Sequence, residues 1–141
     1  KNCKKFLNKV EFINCDLLDI KFEPSDLIIS YYTIQFIKPK YRQIIIDRIY
    51  KALNWGGAFL FFEKIRGPDA RFQDLMISLY NEFKLKNGYK NKEIFEKTRS
   101  LKGILEPFSE KGNLGLLNRA GFIDITSVMK YICFEGYLAI K

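Results

Sequence analysis

The residues able to do chemistry in this sequence fall just after short apolar runs. Asp16 follows Val10-Glu-Phe-Ile13, Tyr31-Tyr32 follow Asp26-Leu-Ile-Ile-Ser30, and Glu63-Lys64 follow Ala58-Phe-Leu-Phe-Phe62. A carboxylate at Asp16 can accept a hydrogen bond from an adenine amino group while the next backbone N–H meets a ring nitrogen. It can equally serve as an ordinary turn or capping residue. Tyr31 and Tyr32 either wall a ligand by stacking or pack beneath a helix. Arg99, near the Asn87-Gly-Tyr89 turn, is an anion ligand or a solvated helix charge. The count of histidines is 0, which removes Ser-His-Asp and Cys-His catalysis and the usual zinc ligands together. No residue is assigned to catalysis, and no metal is expected.

The elements that must position these groups show in the hydrophobic pattern. Leu27–Ser30 and Ala58–Phe62 are short apolar runs without alternation, as buried parallel strands are. Between them Tyr41, Ile45, Ile49 and Ala52 or Leu53 recur on one stripe of a helix over Pro39–Leu53. Pro39 suits its first turn, and Trp55-Gly56-Gly57 is expected to stop and cap it. Such a βαβ crossover is right-handed. Upstream, Lys1–Lys9 resembles the end of a helix, and Val10–Ile13 is expected to form a third parallel strand. In doubly wound sheets ligands bind beyond the carboxyl ends of the strands, which singles out Asp16-Leu17, Tyr31-Tyr32 and Glu63-Lys64.

Past Lys64 the pattern changes. Phe72, Leu75, Met76, Leu79, Tyr80 and Phe83 repeat at helical spacing, and their stripe is expected to be core. A charged second helix covers about 91–102. Ser109 is a candidate N-cap for a short helix that Gly121 closes. Phe122–Val128 and Tyr131–Ile140 then form an expected antiparallel hairpin at the sheet edge.

With 141 residues and 48% hydrophobic content the sequence supports one core rather than two domains. No apolar run approaches the ~20 residues of a membrane span. The net charge of +8 comes from dispersed lysines, so nucleic-acid contact stays open without being favoured. Cys3, Cys15 and Cys133 offer no disulfide framework, which suits a reducing cytoplasm. The charged start without Met suggests a part of a longer domain. No Gly-x-Gly-x-x-Gly loop occurs, so in a nucleotide-type fold that loop is expected upstream of Lys1.

Together these runs resemble a class I S-adenosylmethionine-dependent methyltransferase from its third strand onward. Within that fold the sequence is most similar to the carboxy-S-adenosylmethionine synthases of tRNA wobble-uridine modification. The similar stretches are Thr33-Ile-Gln-Phe36, Leu53-Asn-Trp-Gly-Gly-Ala58, Glu63-Lys64, Phe83-Lys84, Asn87-Gly-Tyr89, Glu93-Ile94 with Lys97, and Leu117 with Ala120-Gly-Phe122. The resemblance implies a doubly wound, Rossmann-like α/β sheet with an antiparallel C-terminal hairpin. It implies a single domain over residues 1–141, with a helical insertion at about 68–102. It implies Asp16 and Leu17 at the adenine of S-adenosylmethionine or its carboxy derivative, Tyr31 beside the cofactor, and Tyr32, Tyr89 and Arg99 on the substrate side.

Two positions depart from that family. Tyr31 stands where the synthases place a ligand-contacting Asn, and Thr98 stands where they place a carboxylate-gripping Arg, with Arg99 one step later. One helical step turns a side chain by roughly 100°. The expected function is therefore methyl transfer from S-adenosylmethionine to a small-molecule or natural-product acceptor. The alternatives are the carboxy-S-adenosylmethionine synthase itself and a catalytically silent RNA- or partner-binding module. A homodimer stays open.

Overall fold

The computed structural model describes residues 9–141, so the segment expected to end a helix at Lys1–Lys9 lies almost wholly outside the described residues. Strand β1 (Ser25–Tyr31) leads through a 3-10 turn at Ile34–Phe36 into helix α1 (Pro39–Ala52), which returns the chain to strand β2 (Leu53–Lys64). Helices α2 (Ala70–Lys86), α3 (Asn91–Ser100) and α4 (Glu110–Ala120) follow, and strands β3 (Asp124–Tyr131) and β4 (Phe134–Ile140) close the chain. The four strands form one sheet in the order β1-β2-β4-β3. β1 and β2 are parallel, whereas β4 runs antiparallel to both β2 and β3. The expected crossover and the expected antiparallel hairpin are both present.

The side-chain alternation of β2 decides where the core lies. Phe59 and Phe61 point to the face covered by α1 and α4, where they meet Ile45, Ile46, Ile49, Leu116, Leu117, Phe122, Tyr137 and Ala139. Ser109 caps α4 by accepting the Gly112 N–H at 3.2 Å, and Gly121 ends it in the left-handed region at φ +115°. On the opposite face of the sheet Leu27, Ile29 and Tyr31 of β1 are exposed.

Three expectations are corrected. Val10–Ile13 forms no strand: β1 is the sheet's edge among the described residues, and residues 10–13 have no ladder partner there. Helix α1 ends without its glycines, because Leu53 passes straight into extended backbone. Gly56, at φ +76°, instead lies in a bulge of β2, where Leu53 pairs with Ser25 but Ala58 already pairs with Leu27. Trp55 stands 89% exposed on that bulge. Lastly, the Phe72–Phe83 stripe is not core. No residue of α2 is buried; Tyr80 and Phe83 pack edge-on against Phe134 and Tyr131 of the sheet.

Candidate ligand site at the carboxyl ends of the parallel strands

β1 ends in a backbone conformation that needs support. Tyr32 sits at φ +54°, a sparsely populated region for a residue with a side chain. Its N–H donates to the Phe62 carbonyl at 2.9 Å, and its carbonyl accepts from Gln35 Nε2 at 3.2 Å. Gln35 is buried, and its Oε1 accepts the Lys64 N–H at 2.8 Å. One side chain thus ties the turn after β1 to the end of β2. Gln35 is held in turn by Arg42 of α1, which is 2% exposed. The Arg42 guanidinium donates to the Gln35 carbonyl at 3.0 Å and to the Ile37 carbonyl at 2.8 Å, and lies 4.4 Å from the Phe108 ring centre.

Glu63 sits within this scaffold at 3% exposure. Burial pushes its carboxyl up to about 8, against the pull of the Arg42 guanidinium and the Ile34 and Gln35 N–H groups. Its Oε1 finds no hydrogen-bond partner among the described residues. At neutral pH the group is mainly protonated.

Aromatic rings build the outer wall. Tyr31 and Tyr32 meet edge-on at 4.5 Å between ring centres, Tyr32 meets Phe134 at 5.4 Å, and Phe134 meets Tyr80 of α2 at 5.1 Å. Tyr31, 67% exposed, also meets Phe62 at 5.5 Å. Against Tyr80 stand two ammonium groups, Lys84 at 4.2 Å and Lys64 at 5.1 Å from its ring centre. Burial lowers the Lys84 pKa, and the Lys64 and Lys97 charges add to that. Burial raises the Cys133 thiol, while Lys64 and Lys84 pull it down.

The expected site residues occupy several places. Asp16 lies in an exposed turn, where its Oδ1 accepts the Leu18 N–H at 2.8 Å and its carbonyl accepts from Asp19 and Ile20. Leu17 packs against the core cluster. That turn is pinned from α1 by Arg48, which donates to the carbonyls of Leu18, at 2.6 Å, and Ile20. Tyr31 and Tyr32 are brought together. Tyr89 is exposed beyond α2, near enough to Tyr80 to raise its hydroxyl pKa after burial and Cys133. Arg99 is exposed in the last turn of α3 and makes no ion pair with a described residue, while Thr98 turns its hydroxyl back to the Ile94 carbonyl at 2.8 Å.

Arg42, Arg48 and Phe134 were not singled out by sequence, Gln35 entered only within the Thr33-Ile-Gln-Phe36 similarity, and Tyr80 only as part of the expected core stripe. Nothing in residue type marks a polar side chain as buried; Lys64 was pointed to by its place at the strand end and by the Glu63-Lys64 similarity, Lys84 only by the Phe83-Lys84 similarity. No cluster of three potential metal ligands occurs among the described residues, and none of their helices is long and apolar enough to cross a membrane.

No family model matches the chain. Among curated proteins it is similar to the carboxy-S-adenosyl-L-methionine synthase of Campylobacter lari, 39% identical over 133 residues, which are 94% of this chain and 57% of that protein. The Staphylococcus epidermidis synthase is 37% identical, covering 95% of this chain and 59% of its own length. That of Campylobacter curvus is 38% identical over all 141 residues and 60% of its length. The chain thus spans under two thirds of the curated relatives it matches. Among solved structures, human N-acetylserotonin methyltransferase in complex with SAM superposes with a TM-score of 0.62 at 18% identity, over 100% of this chain and 36% of that one. An O-methyltransferase family protein from Burkholderia thailandensis gives 0.63 at 14%, over 95% and 36%. The chain therefore has the fold of class I S-adenosylmethionine-dependent methyltransferases and is, by sequence, a relative of the carboxy-S-adenosyl-L-methionine synthases.

Proposed function

We propose that this chain serves a transferase that binds S-adenosylmethionine and produces its carboxy derivative. The observation that carries the reading is the 37–39% identity, over 94% or more of the chain, to proteins named for that activity. The residues fit such a ligand. Asp16 spends Oδ1 on its own turn and leaves Oδ2 without a partner among the described residues, free for an adenine amino group. Leu17 beside it and the exposed Tyr31 ring offer apolar surface for the nucleoside.

When bound, the sulfonium would acidify the methyl C–H, and a carboxyl group given up by an acid co-substrate would replace the methyl proton, which leaves with that co-substrate's departing group. This chain's residues position and exclude water: Gln35 and Arg42 fix Tyr32, and the Tyr31–Tyr32–Phe134 wall shields the ends of the strands. Helices α2 and α3 form the helical insertion of a single domain, with Tyr89 in the connection between them and Arg99 on α3 toward the substrate side. Plain methyl transfer to a small molecule is the second reading. It is favoured by the exposure of Arg99, which makes no ion pair with a described residue, and by Thr98, whose hydroxyl is spent on the Ile94 carbonyl of its own helix.

Mass spectrometry of the ligand retained by the full-length protein separates the two readings. Carboxy-S-adenosylmethionine supports the first, and S-adenosylmethionine alone supports the second. Calorimetry with S-adenosylhomocysteine should then show weakened binding in Asp16→Asn, which keeps the turn and loses the acceptor charge. Equal affinity in that variant removes Asp16 from the adenine, and no affinity in the native protein leaves the silent module.

A further inference from the structure

The Lys64–Tyr80–Lys84 cluster calls for an explanation that the fold alone does not supply. Two ammonium groups sit against one ring, both side chains are half-buried, and neither forms an ion pair with a described carboxylate. Like charges brought this close repel, and the ring's cation–π attraction, about 0.5–1 kcal/mol at exposed sites, offsets only part of that cost. The negative end of α2 would account for Lys84, which lies in its last turn. It does not account for Lys64, which ends a strand and is registered opposite Phe134. Lys97 of α3 adds a third positive charge near Lys84, while Cys133, Tyr32 and Tyr89 are the nearby groups that could become anionic, and burial keeps the first two protonated.

We infer that Lys64 and Lys84 form an anion-binding pair that grips a carboxylate of the ligand held at the carboxyl ends of β1 and β2. Tyr80 spaces the two cations, and an oxyanion between them would convert repulsion into two charge-assisted hydrogen bonds. The placement suits this role, since Tyr80 reaches Tyr32 through Phe134, in ring contacts of 5.1 and 5.4 Å. The pair supplies the cation that Thr98 and Arg99 do not, Thr98 carrying no charge and Arg99 being exposed away from any described partner. The inference rests on the reading that this end of the sheet is the ligand site, and it names the group there that recognises the acid.

The test has two arms. In the first, the full-length protein is reductively methylated with formaldehyde, with and without malonate, and each lysine is followed by peptide mass spectrometry. At a malonate concentration about ten times its Kd, Lys64 and Lys84 should react about tenfold more slowly, while Lys92 keeps its rate. Lys84→Met should abolish the protection of Lys64, and Lys84→Arg should retain it. In the second arm, Lys84→Met should weaken carboxy-S-adenosylmethionine at least about tenfold more than S-adenosylmethionine, the worth of one charge-assisted hydrogen bond. Unchanged methylation rates with malonate and with the carboxy donor would overturn the pair. Protection by inorganic phosphate but by neither acid would overturn the carboxylate assignment. Protection by malonate in a protein that binds neither donor would sustain the pair and sink the proposed function.

Discussion

Gln35 and Lys64 are joined at 2.8 Å, side-chain oxygen to backbone N–H, and through that bond the end of β2 is locked to the turn that follows β1. The same amide donates to the Tyr32 carbonyl at 3.2 Å, so one buried side chain spans both strand ends. Gln35→Ala should cost about 1–3 kcal/mol, because it leaves the part-buried Lys64 N–H unpaired as well as losing a bond. Urea unfolding reads the loss. A cost within about 0.5 kcal/mol would mean that the tie contributes nothing, as for an ordinary surface position.

Gly136 and Phe62 set the second test. A Cβ at Gly136 would lie 2.5 Å from Phe62 Cε1 and 2.6 Å from Cδ1, and Phe62 in turn touches Tyr31 and Tyr32. Gly136→Ala must displace the ring, at about 1–3 kcal/mol, and move the tyrosine wall with it. The expected outcome is a lower urea midpoint together with an altered near-ultraviolet aromatic spectrum. In a Phe62→Leu background the same change should cost measurably less, since the two sites share one space. Additive costs would count against the clash.

The legibility of the fold followed how local its causes were. The crossover helix, the Ser109 cap and the Gly121 stop were visible because period, cap and left-handed glycine act over a few residues. Gly56 misled for the same reason: a Gly-Gly pair after a helical stripe signals a cap, yet the register between Ser25 and Leu27 turned it into a bulge. The α2 stripe had the periodicity of a core helix, and period alone says nothing about what covers a face. Of the candidate site, the strand ends, Glu63-Lys64 included, were readable from topology. The burial of Gln35, Arg42 and Glu63 was not, because a polar residue goes inside only when distant partners receive it.

Arg48 carries the third prediction. Its guanidinium holds the Leu18 and Ile20 carbonyls from α1, and so shapes the turn that presents Asp16. Arg48→Met keeps the apolar stem but removes both bonds and the guanidinium that lies 5.5 Å from the Phe22 ring centre. Hydrogen exchange should then accelerate about tenfold at the Asp19 and Ile20 amides, in line with about 1–2 kcal/mol lost locally. The core strands should keep their protection. Unchanged exchange in the turn would show that its own Asx bond suffices.

Glu63 gives the pH dependence. Its native carboxyl titrates near 8, against an ordinary value of 4.5, because burial disfavours the charge more than Arg42 and the Ile34 and Gln35 N–H groups favour it. The folded state therefore holds the proton across a window in which the unfolded chain has released it. By linkage this group makes stability fall as pH rises from about 4.5 to about 8, with no further contribution above. Glu63→Gln keeps a neutral, similarly shaped side chain and should remove that slope. The variant should match the native protein near pH 4.5 and gain on it steadily toward pH 8, in urea titrations across the range. A variant no more stable than the native protein at pH 8 would show that the carboxylate is already well paired with Arg42, and that burial does not dominate its titration.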